Sequence, residues 1–277
     1  MMPANRGLRV FAPLFLFYNK LYHSRIHYVV IGGWLDSFLD EHKWLVRLLK
    51  KFDAIYVESD MMKSALQRRG FENAIVMYNF KELEPLAESD IEYPKSEPYK
   101  LCTFSRVMKE KGIEDAINAV ESINAHFGRT VYTLDIFGQV DVEYKERFSQ
   151  LEKSFPDYIS YGGAIEANKS VETLKSYFAL LFPTYYKGEG FAGTLIDAMS
   201  AGVPVIASDW KYNPEFVVPG KTGVIIENCN AERLAEELIN IAAAPEKWNS
   251  MRLSALKESE KYKPDIAARP LIDRING

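Results

Sequence analysis

The stretch from Leu181 to Gly223, LFPTYYKGEGFAGTLIDAMSAGVPVIASDWKYNPEFVVPGKTG, decides how this chain reads. A short apolar strand over Leu180–Pro183 runs into the loop Gly188-Glu189-Gly190, and a compact apolar helix comes next over Ala192–Ala201. A second carboxylate, Asp197, stands eight positions after Glu189 on that helix. A buried strand over Pro204–Ala207 then leads to a loop carrying Glu215. Glycines on both sides of Glu189 permit unusual backbone angles and close approach. The first turn of a helix has free N–H groups, so the amides of Gly190, Phe191 and Ala192 are expected to face an anionic or hydroxyl-rich ligand.

Glu189 suits sugar hydroxyls better than phosphate, because two anions repel. Asp197 lies six residues beyond Phe191, roughly 9 Å along a helix that rises 1.5 Å per residue. Two carboxylates so spaced would serve two hydroxyl-bearing rings joined by a diphosphate. Apolar neighbours Leu195, Ile196, Ala198 and Met199 surround Asp197, and a carboxylate in such company needs a partner.

Working outward, strands are expected at Leu101–Ser105, Val131–Phe137, Ile159–Tyr161 and Gly223–Ile226 as well. Helices fit between them at Gly112–Phe127, Val142–Phe155, Ser170–Tyr177 and Pro214–Val217. Apolar strands each succeeded by a helix imply a parallel sheet covered on both faces. Closing helices are expected at Ala231–Ala243, Pro245–Tyr262 and Pro264–Ile275. Upstream, strands at Tyr28–Ile31, Ala54–Glu58 and Ala74–Met77 alternate with helices at Asp36–Lys51 and Asp60–Arg69. A passage rich in Pro and Glu between Lys81 and Tyr99 reads as a linker. The expected fold class is therefore α/β: a complete doubly wound domain preceded by a partial one. Three parallel strands make a poor sheet, which points to missing upstream βα units or to a partner chain that completes the first domain.

In an open parallel sheet, ligands bind beyond the carboxyl ends of the strands. Arg106 and Lys111 come after the first strand of the second series and could grip a diphosphate, Arg by paired donors and Lys as a point charge. Taken alone they are two solvated charges in a basic turn. Gly138 comes after the next strand and offers no side chain to block a ligand. Gly32 and Gly33, after the first strand of the chain, either contact a ligand through backbone or simply form a turn.

Composition sets further bounds. The chain has 277 residues, 47% hydrophobic and 26% charged, with net charge −4, so its surface as a whole is no footprint for nucleic acid. Two cysteines, Cys102 and Cys229, read as reduced, buried thiols of a cytoplasmic protein, with a disulfide as the second reading. Four histidines form no metal-binding spacing, and no metal is expected. Val10–Tyr22 is too short for a membrane span and lacks a cleavage site. Residues 1–51 carry eight Lys/Arg against three Asp/Glu, a local balance of +5. This reads either as a solvated helix face or as a peripheral contact with anionic lipid.

The order of an S-R…K-G turn (SRVMKEKG), a glycine at the next strand end, GEGF, a carboxylate eight positions on, AMSAGVPVIASD, and P-E with G-x-x-G after it resembles the retaining glycosyltransferases of family 4, which have the GT-B fold. The resemblance runs from about Tyr28 to the C-terminus and includes YVES (Tyr56–Ser59) and YNF (Tyr78–Phe80). It implies three segments: a partial N-terminal Rossmann-like domain and linker over 1–97, a nucleotide-sugar-binding domain over 98–263, and a crossing helix over 264–277. It implies that Arg106 and Lys111 bind the donor diphosphate and stabilise it as leaving group without a metal. Glu189 would hold the transferred sugar, Asp197 the ribose, and Glu215 the loop. The donor is then a nucleoside diphosphate sugar and the acceptor a glycan or a lipid-linked glycan, in synthesis of cell-surface polysaccharide or glycolipid. Two departures stand out: the family usually has Glu where Asp197 stands, and its earlier βα units are absent. Where many relatives place a histidine, this chain has Gly32-Gly33-Trp34. A non-catalytic module that binds nucleotide sugar or docks with a partner chain is the alternative of another class. An epimerase or phosphorylase on a similar scaffold is a third.

Overall fold

The computed structural model describes residues 1–227 and 229–277. In chain order, the first elements are α1 (Asn5–Tyr22), β1 (His27–Val29), α2 (Leu35–Glu41), α3 (Lys43–Leu49), β2 (Ala54–Val57), α4 (Asp60–Arg68) and β3 (Ala74–Val76). Next come β4 (Tyr99–Phe104), α5 (Ile113–Phe127), β5 (Tyr132–Phe137), α6 (Lys145–Glu152), β6 (Ile159–Gly163), α7 (Ser170–Leu174), β7 (Ala179–Phe182), α8 (Gly193–Ser200), β8 (Val205–Ser208), α9 (Asn213–Phe216) and β9 (Gly223–Ile226). Helices α10 (Ala231–Ala243), α11 (Pro245–Asn249), α12 (Met251–Ser259), α13 (Pro264–Ala267) and α14 (Arg269–Asn276) close the chain.

The described residues group into two compact units: Met1–Lys81 with Lys187–Ala192 and Tyr262–Gly277, and Glu82–Tyr186 with Gly193–Lys261. The first holds a parallel sheet of order β1-β2-β3, whose middle strand, AIYV, is buried at every position. Met1 meets the outer side of β1: its amine donates to the His27 carbonyl at 2.7 Å, and its carbonyl accepts from the Val29 N–H at 3.0 Å. At the N-terminus of α4, Ser59 Oγ accepts from the Met62 N–H at 3.1 Å, a cap that contributes about 1 kcal/mol.

One helix was expected over Asp36–Lys51, and two are found. Leu35 and Leu39 are buried on α2, and Leu45 and Leu49 on α3. The chain leaves helical geometry at His42, with φ −124° and ψ 54°, and the His42 ring stacks on Phe38 at 4.2 Å. The helix expected over Pro245–Tyr262 divides into α11 and α12, and Pro270 explains the division between α13 and α14, because it has no N–H to continue a helix. Helix α1, which the sequence left unassigned, runs through Pro13.

The second unit contains a six-stranded parallel sheet of order β6-β5-β4-β7-β8-β9. Two crossovers lead one way from β4 and three the other, so right-handed connections place helices on both faces. Helix α5 shows why it forms: Ile113, Ala116, Ile117, Val120 and Ile123 are buried at helical spacing, facing α10 and the sheet. The passage expected as a linker packs with this unit instead. Leu86 donates its N–H to the Ser200 carbonyl at 2.8 Å, Ile91 is buried, and the Pro94 carbonyl accepts from Asn249 Nδ2 at 2.8 Å. Arg252 on α12 is wholly buried, and its guanidinium donates to the carbonyls of Tyr177 and Lys175. Burial lowers its pKa to about 10. The fold class is the expected one, with one complete Rossmann-like sheet and one partial sheet. Cys102 is a buried free thiol and Cys229 a half-buried one.

Candidate functional site

Because all six strands of the larger sheet run parallel, their carboxyl ends share one edge, and the strand order reverses between β4 and β7. The turn after β4 lies against the turn after β7 at that point. Glu110 supplies the tie: its carbonyl accepts from the Tyr185 N–H at 2.8 Å and from Thr184 Oγ1 at 3.3 Å. Lys111, next in the chain, holds its ammonium 5.3 Å from the ring centres of both Phe182 and Tyr186. Two aromatic faces favour a cation and limit where its stem can swing.

Arg106 sits one strand over. Its side chain is 62% exposed and its guanidinium stands 3.6 Å from Asp141. The turns after β4 and β5 run together there, with Val107 N–H donating to Gln139 O and Asp141 N–H to Val107 O, both at 2.9 Å. Gly138 lies at this crossing with φ +138°, and a side chain there would run into the Ser105 carbonyl. Close packing of two turns requires this glycine, an added reason beyond leaving room for a ligand. On the other side of Lys111, Trp210 Nε1 donates to the Tyr186 carbonyl at 2.7 Å, and Ser208 Oγ donates to Thr184 O. Asn213, fully buried on α9, donates to the Ser208 carbonyl at 3.2 Å. Glu215 occupies the same short helix, half-buried.

Asp197 lies on α8 at 2% exposure, where Ser170 Oγ donates to its Oδ1 at 2.8 Å. The partner that a carboxylate among apolar neighbours requires comes from the first residue of α7.

In the first unit, the loop Lys187–Ala192 packs around a buried carboxylate at the end of β2. Glu58 Oε2 accepts from the N–H of Phe191 and from the N–H of Gly32, each at 3.1 Å. Burial raises the Glu58 pKa above the ordinary carboxylate value, and the two amides pull it partly back. At Gly190 any side chain would strike both Glu58 Oε2 and the Gly32 backbone, so only glycine permits this approach. Asn79 Nδ2 donates to the Phe191 carbonyl at 3.0 Å, while the Phe191 ring meets Tyr262 edge-on at 4.7 Å between centres. The Phe191 amide, expected to face a ligand, is therefore committed to Glu58, and α8 starts only at Gly193. Glu189 is buried in this loop. Among the described residues, no three His, Cys, Asp or Glu side chains stand together as a metal cage.

Residues 87–258 match the model of the family described as glycosyl transferases group 1. This chain belongs to that family. The GtfA subunit of the UDP-N-acetylglucosamine–peptide N-acetylglucosaminyltransferase of Streptococcus gordonii is 30% identical over 178 residues, 61% of this chain and 34% of its own length. The poly(glycerol-phosphate) alpha-glucosyltransferase of Bacillus subtilis is 26% identical over 184 residues, 65% of this chain and 26% of that protein. This chain thus spans about a third of the length of the curated relatives it matches. Among solved structures, HepE of Anabaena in complex with UDP superposes with a TM-score of 0.79 at 15% identity, over 99% of this chain and 77% of that one. That likeness shows the GT-B fold.

For this group 1 chain, the larger unit brings Arg106, Lys111 and Gly138 to one sheet edge, and the smaller brings Gly32, Gly190 and Phe191 to one carboxylate. Gly33 is buried beside Gly32, and Ala192 is half-buried at the loop's end. The sequence reading passed over Glu58, Asn79, Ser170 and Asn213. For Glu58 a signal was present: it is a carboxylate closing the apolar run AIYV.

Proposed function

We propose that this chain is a retaining glycosyltransferase that moves a sugar from a nucleoside diphosphate sugar to a glycan or lipid-linked acceptor. The observation that carries the reading is the pair of cations, Arg106 and Lys111, at the point where strand order reverses, with Lys111 steered by two aromatic rings. In this reading the bond between the anomeric carbon and the diphosphate oxygen breaks, and the diphosphate departs with the electron pair. Charge then grows on the phosphate oxygens, and two positioned cations stabilise it electrostatically. The acceptor hydroxyl forms the new bond on the face that the diphosphate leaves and passes its proton to the departing phosphate oxygen. Glu189 takes hydroxyls of the transferred sugar, Asp197 those of the ribose, Glu215 supports the loop, and no metal is required. The backbone groups offered to the donor are those of Gly33, Gly138, Gly190 and Ala192, while the Gly32 N–H, like that of Phe191, is taken by Glu58. Phe191 contributes by holding the loop, through Glu58 and Tyr262.

The UDP in the names of GtfA and the HepE complex supports uridine as the base, the GDP-mannose in the names of two further relatives supports guanosine, and membership of group 1 supports transfer. Synthesis of cell-surface polysaccharide or glycolipid at the cytoplasmic side is the setting we propose. The GtfA subunit's name supports a partner chain, which we place beside the three-stranded first sheet.

A thermal-shift screen with uridine, guanosine and adenosine diphosphates tests this directly. Selective binding at a hundredfold excess over Kd stabilises the folded chain by about 2.7 kcal/mol. One base should raise the melting temperature and the others should not. A response to none of the three would contradict the reading. Binding with no transfer to any acceptor would leave a non-catalytic donor-binding module.

A further inference from the structure

Helix α1 shows solvent a surface that its own packing does not use. Only Leu8 and Ala12 are buried, and with the half-covered Leu16 and Asn19 they form one stripe, the side packed on α3. At about 100° per residue, Arg6, Arg9 and Lys20 fall together on the next flank. Val10, Leu14, Phe17 and Leu21 occupy the sector beyond, and Phe11, Phe15, Tyr18 and Tyr22 complete the turn. All eight are exposed, Phe17 by 61%, Leu21 by 63% and Tyr22 by 71%. The apolar arc covers roughly 160° of the helix. It far exceeds the scattered apolar residues of an ordinary surface.

Charge complements this arc in one sense only. Residues 1–35 contain four Lys/Arg and no Asp or Glu. Beside the last turn of α1 lies a cavity of about 760 Å³, walled by Leu16 and Phe17 and bordered by Lys20, His23 and Lys51. Its carboxylate, Asp53, accepts from the Ile26 N–H at 2.6 Å. Among the described residues no helix is long and apolar enough to cross a membrane. A helix with a wide apolar arc, a basic flank and Tyr at the border has the character of one lying in the headgroup layer.

We propose that α1 docks this chain on an anionic bilayer. The arc centred on Phe17 and Leu21 turns toward the acyl chains, Arg6, Arg9 and Lys20 meet lipid phosphates, and the cavity beside Lys20 takes one phosphate headgroup. The inference is independent of the transferase reading, since it is measured without donor or acceptor.

The test is cosedimentation of the full chain with vesicles of phosphatidylcholine alone and of phosphatidylcholine mixed with phosphatidylglycerol, at low and high salt. The mixed vesicles should bind the chain and the neutral ones should bind it weakly, with added salt reducing the difference. Arg9→Gln with Lys20→Gln should weaken partitioning about thirtyfold, from the contribution of each cation near an anionic surface. Phe17→Ser with Leu21→Ser should weaken it by at least about tenfold. Both pairs alter exposed side chains, so circular dichroism and the melting temperature should match wild type and confirm folding. Equal binding to both vesicle types, or wild-type binding by either double variant, overturns the proposal. So does a dimer in light scattering that Phe17→Ser with Leu21→Ser converts to monomer while vesicles fail to bind, because the occupant is then a second copy.

Discussion

The carboxylate of Glu58 and the backbone N–H of Phe191 stand 3.1 Å apart, although 133 positions separate them in the chain. The same oxygen takes the Gly32 N–H, so one buried group holds both the turn after β1 and the loop that carries Glu189. Glu58→Ala should leave two amides without their acceptor, at a loss of about 1–3 kcal/mol for each buried donor left unpaired. Glu58→Gln keeps an acceptor oxygen and should lose much less. Hydrogen exchange reads this at the amides concerned: Phe191 and Gly32 should exchange faster in the alanine variant. Unchanged exchange there would mean the loop is held by something else.

The same residue sets a dependence on pH. Its folded-state pKa is raised above the ordinary 4.5, chiefly by burial. An acid shifted upward binds more protons when folded. Its contribution to stability is complete below the unfolded value and is lost as pH rises through the folded one. Melting temperatures from mildly acidic to neutral pH should therefore fall for wild type relative to Glu58→Gln. Parallel curves would show that Glu58 does not titrate differently in the folded state.

Asp197 replaces the Glu usual in the resemblance, and its surroundings give a reason. At 2% exposure, with Oδ1 already bonded to Ser170, it has little space for another methylene. Asp197→Glu should destabilise the chain by about 1–3 kcal/mol, as overpacking does in tight interiors. Urea titration decides. A variant as stable as wild type would show that the interior around α8 has room for the longer carboxylate.

Gly190→Ala should be worse tolerated than most surface changes, because the added carbon meets the Gly32 backbone as well as Glu58. Backbone cannot rotate aside as a side chain can. A lowered melting temperature, with faster proteolysis within Lys187–Ala192, is the expected result. Wild-type values for both would place the loop elsewhere.

Much of this was legible in the sequence because parallel strands buried on both faces are plain apolar runs, such as ALLF and VIAS, with helices between. Arg106, Lys111 and Gly138 were picked out as candidates because each stands in the turn after such a run, and the structure sets them along one sheet edge. The reading failed where meaning depends on distant partners. Glu58 is only a polar residue after AIYV until Phe191 and Gly32 arrive to share its oxygen. Ser170 gains its role only from α8. Helix α1 escaped notice because apolar residues surround most of it and Pro13 interrupts it, which hides the periodicity of a half-buried helix. The break at His42 left no trace in the pattern, because Leu35, Leu39, Leu45 and Leu49 fall within about 120° of one helical face, as they would on a single helix.

The proposed transfer requires Arg106 and Lys111 to hold a nucleoside diphosphate at the sheet's carboxyl edge. Isothermal titration of the stabilising nucleoside diphosphate into wild type, Arg106→Ala and Lys111→Ala measures that hold. Each variant should fold normally and bind about tenfold to a hundredfold more weakly, the range for losing one hydrogen bond to a charged group. Wild-type affinity in both variants would contradict the assignment.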